Sequence, residues 1–253
     1  MTLPAEYTMV ADPAALERAG LFVAEGRLVV QRLLEAGRFL VHSVAATPSA
    51  LAALEPALDA MATRPPLFVC DVDELRATTG FDFHRGCLAL AYRPETQPFP
   101  DFSSATRLLA LEGVGNPDNL GGLFRTAFAL GAGAVLVDPT TGDPFYRKAI
   151  RTSMAATLRL PFARLPGWPS DLDLARRAGF EIAALTPSAG ALPLDEFAKT
   201  AHPRLALAVG SEGTGLSRAV IGYADVSVRI PIDERADSLN VVVAAGIALG
   251  ALR

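Results

Sequence analysis

Three short stretches of the chain hold residues whose types and spacing could do chemistry. In NPDNLGGLFRTAFALG, residues 116–131, an arginine at position 125 breaks an otherwise apolar helical pattern. Leu120, Leu123, Phe124, Ala127 and Phe128 share one stripe of a helical wheel, and Arg125 falls beside it. A guanidinium there offers forked donors suited to a phosphate or another anion. In AVGSEGTGLS, residues 208–217, Gly210, Gly213 and Gly215 would let backbone approach a ligand closely, and Glu212 adds a carboxylate. In VRIPIDERADSLNVVVAAG, residues 228–246, Pro231 ends a strand and Ser238 can cap a long apolar helix. Taken singly, each stretch fits ordinary capping as well as it fits a site. Asp118 or Asn119 would cap the first helix, glycine turns commonly follow strands, and Arg125 would be solvated.

The elements that must position these residues alternate along the chain. Apolar runs read as strands at RLLALEG, AVLVD, FEIAALT, RLALAVG and DVSVRIP, with helical segments between them and a last helix from near Ser238. Each of the three stretches follows one of those runs. This order predicts an α/β fold with a mostly parallel sheet covered on both faces, and ligands at the carboxyl ends of its strands. Upstream, LFVA, FLVHSVAA and LFVC alternate with the helical GRLVVQRLLEAG, which predicts a small α/β domain. The polar, proline-rich YRPETQPFPDFSSATR reads as a linker. The division is then a first domain over 1–98, a linker over 99–106 and a second domain over 107–253. The first loop does not match a dinucleotide fingerprint, because Pro117 and Asp118 stand where that helix should open.

Bulk properties narrow the function classes. Of 253 residues, 51% are hydrophobic and 20% charged, a globular composition rather than a disordered one. Cys70 and Cys87 are too few for a disulfide framework and fit a reducing cytosol. The start, MTLPAEYTMV, lacks the regions of a signal peptide. The apolar run VVVAAGIALGAL is well short of the roughly 20 residues that span a bilayer, so it reads as a core or interface helix. These features predict a cytoplasmic protein away from membranes. No His, Cys and carboxylate cluster suggests a metal. A net charge of −4 weighs against nucleic acid. Against that, Arg147, Lys148, Arg151 and Arg159 crowd one segment and, with Arg27, Arg32 and Arg38, would form a basic track; scattered solvated arginines are the alternative.

Taken together and in order, the three stretches resemble the signature motifs of the SpoU (TrmH-type) RNA 2′-O-ribose methyltransferases of the SPOUT superfamily. The resemblance spans about residues 105–253 and includes the intervening DPFYRKAIRTSMAA. FVAEGRLVVQRLL and DFHRGCLALA resemble the ribosomal-protein-like RNA-binding domain that often precedes the catalytic one. The resemblance implies a trefoil-knotted catalytic domain, S-adenosylmethionine as methyl donor, no metal, and a homodimer whose site borrows residues across the interface. The implied substrate is structured RNA, with rRNA favoured over tRNA because of the extra domain. An RNA-binding assembly factor that has lost catalysis is the alternative from another class, and the intact site residues speak against it.

The resemblance also assigns roles. Arg125 is implied to be essential and is cast in the family as the base for the 2′-hydroxyl. A guanidinium with a pKa above about 12 rarely gives up its proton, so gripping a phosphate or steadying a developing alkoxide asks less of it. Asn119 would hold the arginine or the ribose, and Ser238 and Asn240 would line the same pocket. Glu212 would shape the donor loop and touch the substrate or partner subunit. Gly210 and Gly215 would admit the donor, Ile230, Ser238 and Leu239 would complete its pocket, and Thr186 would edge it. Two positions depart from the family pattern: Glu234 stands where glycine is usual, and Val242 where a small polar residue is usual. His84-Arg85-Gly86 replaces the usual histidine–glutamine–glycine of the first domain.

Overall fold

The computed structural model describes residues 3–80, 86–94, 101–233 and 235–252. In chain order come α1 (Pro13–Arg18), β1 (Leu21–Glu25), α2 (Arg27–Ala36), β2 (Val41–Ala46), α3 (Pro48–Asp59), β3 (Leu67–Val69), α4 (Val72–Thr79) and β4 (Cys87–Tyr92). Next are β5 (Arg107–Glu112), α5 (Pro117–Ala129), β6 (Ala134–Val137), α6 (Arg147–Thr152), α7 (Ala156–Arg159), β7 (Phe162–Arg164) and α8 (Asp173–Arg177). The last are β8 (Glu181–Leu185), β9 (Leu192–Pro193), α9 (Leu194–Phe197), β10 (Leu205–Gly210), α10 (Arg218–Tyr223), β11 (Val226–Arg229) and α11 (Val241–Ala251). Contacts group them into two units, Met1–Thr96 with Pro144–Arg159, and Gln97–Asp143 with Leu160–Arg253.

The first unit is built on a four-stranded mixed sheet in the order β1-β4-β2-β3. β4 runs antiparallel to β1 and β2, while β3 is parallel to β2. Every residue of β1 is buried, and α2 buries Val29, Val30, Leu33 and Leu34. The segment carrying α6 and α7 belongs to this unit. Phe145 stacks on Phe22 with ring centroids 5.0 Å apart, and Nη1 of Arg32 donates to the Met154 carbonyl at 2.6 Å. Met154 and Ala155 have φ of 53° and 64°, a left-handed conformation that costs an L-residue about 1–2 kcal/mol. All seven residues of the expected basic track thus lie in one unit, but not all face outward as free charges. Arg38 donates to the Arg159 carbonyl at 3.0 Å, and Arg147 to Oε2 of buried Glu25 at 2.9 Å.

The second unit carries a seven-stranded sheet in the order β7-β6-β5-β10-β8-β11-β9, with every pairing parallel. All five strands expected from its apolar runs are present. β7 and β9 had no such run, being three and two residues long. In the middle of the sheet Leu207 sits opposite Leu109 on one side and Ala183 on the other. Leu108, Ala110, Leu136, Ala206 and Ala208 form a core on one face with Leu172 and Phe180. The alternate residues Leu109, Leu111, Leu207 and Val209 are equally buried and point the other way. Phe102 and Ala105, from the stretch read as a linker, are buried in this unit's core.

α11 packs against α5 and β10. α5 buries Leu120, Leu123, Phe124 and Ala127, each large side chain contributing about 1.5–3 kcal/mol. Phe128, expected on the same stripe, is 38% exposed. The two helices approach closely where one lacks a side chain. A Cβ built on Gly122 would lie 2.8 Å from Cγ2 of Val242.

Candidate active site

The loops after β5, β8, β10 and β11 leave the carboxyl ends of neighbouring strands, the edge where ligands of parallel sheets bind. α5 opens at Pro117, and Asn116 caps it by accepting from the Asp118 N–H at 2.8 Å. The cap expected at Asp118 or Asn119 therefore sits upstream. Proline has no N–H to satisfy and is pre-set for the first helical position, which fixes the opening there. Asn119 is thereby released from capping, and it is nearly buried, at 9% exposure.

α11 begins at Val241, and its cap is Asn240, not Ser238 as the sequence reading had it. Oδ1 of Asn240 accepts from the Val242 and Val243 N–H groups at 2.9 and 3.4 Å. Its Nδ2 donates to Oδ1 of Asn119 at 3.1 Å and to Oε1 of Glu212 at 2.5 Å. One amide thus joins the three sequence stretches, from positions 119, 212 and 240.

The glycine stretch folds back on itself. Gly215 N–H donates to the Ser211 carbonyl at 3.0 Å, and the Ser211 and Thr214 hydroxyls meet at 2.6 Å. A Cβ on Gly210 would fall 2.1 Å from the Gly215 carbonyl carbon, so the loop closes only over a residue with no side chain. The loop walls a cavity of about 730 Å³. Thr186, Gly210, Glu212, Gly215, Ile230, Ser238, Leu239 and Asn240 line it, all of them candidates from the sequence. Asp237 and Ile232 line it too and carried no signal in the sequence beyond their neighbours. Thr186 is fixed by its N–H, which donates to the Val228 carbonyl at 2.9 Å, while its hydroxyl accepts from the Ser188 N–H at 3.3 Å.

Asn119 is tied to this group through Asn240, but Arg125 is not brought into the cavity lining. Its side chain lies on the exposed face of α5 and makes no hydrogen bond or ion pair among the described residues. Glu234, His84 and Arg85 lie outside the described residues. Val242 is accommodated by Gly122, as described above.

A supporting layer escaped the sequence reading. Oδ1 of Asp138, just past β6, accepts from the Gly113 N–H at 3.1 Å and the Thr141 N–H at 2.7 Å, and Thr140 donates to its other oxygen. Burial opposes the charge of Asp138, yet these hydrogen bonds outweigh it and hold the carboxyl below its ordinary range. Arg164 donates to the carbonyls of Asp138, Thr141 and Gly142 at 2.6, 2.8 and 3.0 Å. Together they stiffen the backbone that leads into α5. Partners 25 residues apart have no sequence signature.

Among the described residues no three His, Cys, Asp or Glu side chains gather as a metal ion would require, and no helix is long and apolar enough to cross a membrane.

Comparison with known proteins matches residues 106–250 to the model of the SpoU rRNA Methylase family. A protein of Mycobacterium tuberculosis named as a tRNA/rRNA methyltransferase is 40% identical over 90% of this chain and 79% of its own length. The 23S rRNA (guanosine(2553)-2′-O)-methyltransferase RlmP of Bacillus subtilis is 30% identical over 74% of this chain and 72% of its own. The AdoMet-bound rRNA methyltransferase of Sinorhizobium meliloti shares the fold along 98% of this chain and 92% of its own, with a TM-score of 0.78 at 24% identity. The chain belongs to the SpoU rRNA methylase family, and it is an RNA methyltransferase.

Proposed function

We propose that the enzyme transfers the methyl group of S-adenosylmethionine to a ribose 2′-hydroxyl of structured RNA, ribosomal RNA in preference to tRNA. The observation that carries this reading is one cavity lined from the ends of β8, β10 and β11, with Asn240 at its edge tying Glu212 to Asn119 of the helix after β5. Its volume of about 730 Å³ suits a ligand of nucleoside size, for which pockets run from about 300 to 1,000 Å³. The Gly210–Gly215 closure supplies bare backbone for close approach, and Asp237 with Glu212 places negative charge near a cationic donor. The residues present therefore fit the donor, which the Sinorhizobium meliloti relative is named as binding.

Thr186, Gly210, Ile230 and Leu239 would hold the donor's adenosine, and Ser238 and Asn240 would flank its reactive end. When bound, the donor supplies a methyl group already activated by a positive sulfur. The chain's own task is alignment and handling of one proton. Asn119 accepts from Asn240 through its amide oxygen, which leaves its Nδ2 donors for an oxygen of the ribose. The fork of Arg125 grips a phosphate beside the target ribose or steadies the alkoxide forming there, and the proton leaves to water.

Residues 1–98 form the RNA-binding domain in this reading, and 107–253 the methyltransferase domain. The return of α11 from β11 to α5 and β10 at the middle of the sheet supports a knotted path. Val243 and Ile247, 50% and 43% exposed on the same face of α11, support a homodimer. We place the enzyme in the cytoplasm, where its RNA is.

Mapping ribose methylation in total RNA from cells with and without the gene tests the reading. It predicts the loss of a 2′-O-methyl group from ribosomal RNA. An unchanged map, or a loss confined to base methylation, would contradict it.

A further inference from the structure

Glu112 ends β5, the strand that runs into the Asn119 and Arg125 helix, and its carboxylate is engaged by three donors. The Ser217 N–H donates to Oε2 at 2.7 Å, and the Ser217 hydroxyl to Oε1 at 2.9 Å. The indole Nε1–H of Trp168 donates to Oε1, also at 2.9 Å. Among the described residues no cation joins them. Ser217 closes the glycine stretch and caps α10, its hydroxyl oxygen accepting from the Val220 N–H at 3.2 Å. Its one hydroxyl proton goes to Glu112 and a lone pair to Val220, so both ends of the hydroxyl are fixed. Within the loop, Gly213 and Gly215 have φ of 93° and 65°, and no side chain of residues 211–215 is buried, whereas Leu216 beyond them is buried in the core. The loop's near end is fixed by β10 at Gly210, and its far end by Leu216 in the core together with Ser217 on Glu112.

We propose that Glu112 is a positioning residue for donor binding. It does not line the cavity. It sets the span between the strand carrying the first motif and the far end of the donor loop, and through that span the donor's affinity. The inference rests on the donor reading given above. The carboxylate suits the task because all three groups facing it are donors; an amide in its place would turn an N–H₂ toward some of them. Trp168 is the only tryptophan in the sequence, so its emission reports on this junction directly.

The test uses the full chain with Glu112→Gln. Losing a charge-assisted acceptor should raise the Kd for S-adenosylmethionine by calorimetry, and its KM, about tenfold. At saturating donor, kcat and the KM for RNA should stay within about twofold, since the groups at the reacting atoms are untouched. Trp168 emission should shift in the donor-free protein, and amide exchange over residues 211–217 should quicken. Trp168→Phe keeps both Ser217 bonds and should leave donor affinity within about twofold. Ser217→Ala keeps the N–H bond and loses the hydroxyl one, so a rise of about threefold is expected, and it serves as the test if Glu112→Gln does not fold. Donor affinity unchanged in Glu112→Gln or in Ser217→Ala, or a fall in kcat at saturating donor, would overturn the inference while the wild type still bound the donor. Failure of the wild type itself to bind would overturn the donor reading and this inference with it.

Discussion

Arg125 extends from α5 with no partner among the described residues, while Asn119 six residues earlier is nearly buried and bonded to Asn240. An exposed arginine without partners contributes little to stability, so its substitution should read out in chemistry alone. Arg125→Lys keeps the charge and loses the fork; we predict about a 100-fold fall in kcat with an unchanged melting temperature and donor Kd. Near-normal turnover would reject bidentate recognition. Asn240 is the opposite case, because it caps α11 and also holds Asn119 and Glu212. Asn240→Ala should lose about 1 kcal/mol in chemical denaturation through the cap and lower turnover as well. A variant stable as wild type would show that the cap carries no weight. Arg125 was legible in the sequence because a charge beside an apolar stripe is conspicuous. The Asn240 junction was not, because its partners sit 121 and 28 residues away.

At the scale of elements, α5 and α11 approach closely where Val242 lies over Gly122. The valine that departs from the family pattern is accommodated by the missing side chain opposite it. Gly122→Ala should therefore destabilise the protein by about 1–3 kcal/mol in denaturant titration, and adding Val242→Ala should recover most of that loss. Additive effects in the double variant would mean that the two positions do not meet. The strands with long apolar runs were readable from pattern alone. β7 and β9 were not, since two or three residues hold no periodicity. Both helix openings were misplaced for local reasons: Pro117 dictates the start of α5, and Asn240 outcompetes Ser238 because its side chain reaches two amides of the first turn.

At the scale of the molecule, an acidic protein must still hold RNA, and in the proposed reading the arginines of the first unit do so. Arg147 is 30% exposed and paired with the buried carboxylate of Glu25, so Arg147→Glu should lower stability by roughly 3 kcal/mol, read by thermal or chemical denaturation. Exposed Arg27 has no such duty, and Arg27→Glu should weaken RNA binding and lower the slope of log K against log salt by about 1. An unchanged slope would remove Arg27 from the RNA surface. The expectations of a knot and of a dimer came only with the family resemblance, because neither would leave a mark on composition or periodicity. The central claim is transfer to a sugar oxygen, and methyl-labelled S-adenosylmethionine incubated with the enzyme and ribosomal RNA tests it most directly, with the RNA then digested to nucleosides. The account predicts label in one 2′-O-methylnucleoside for the wild type and none for Arg125→Ala. Label on a base, or equal label from both proteins, would contradict it.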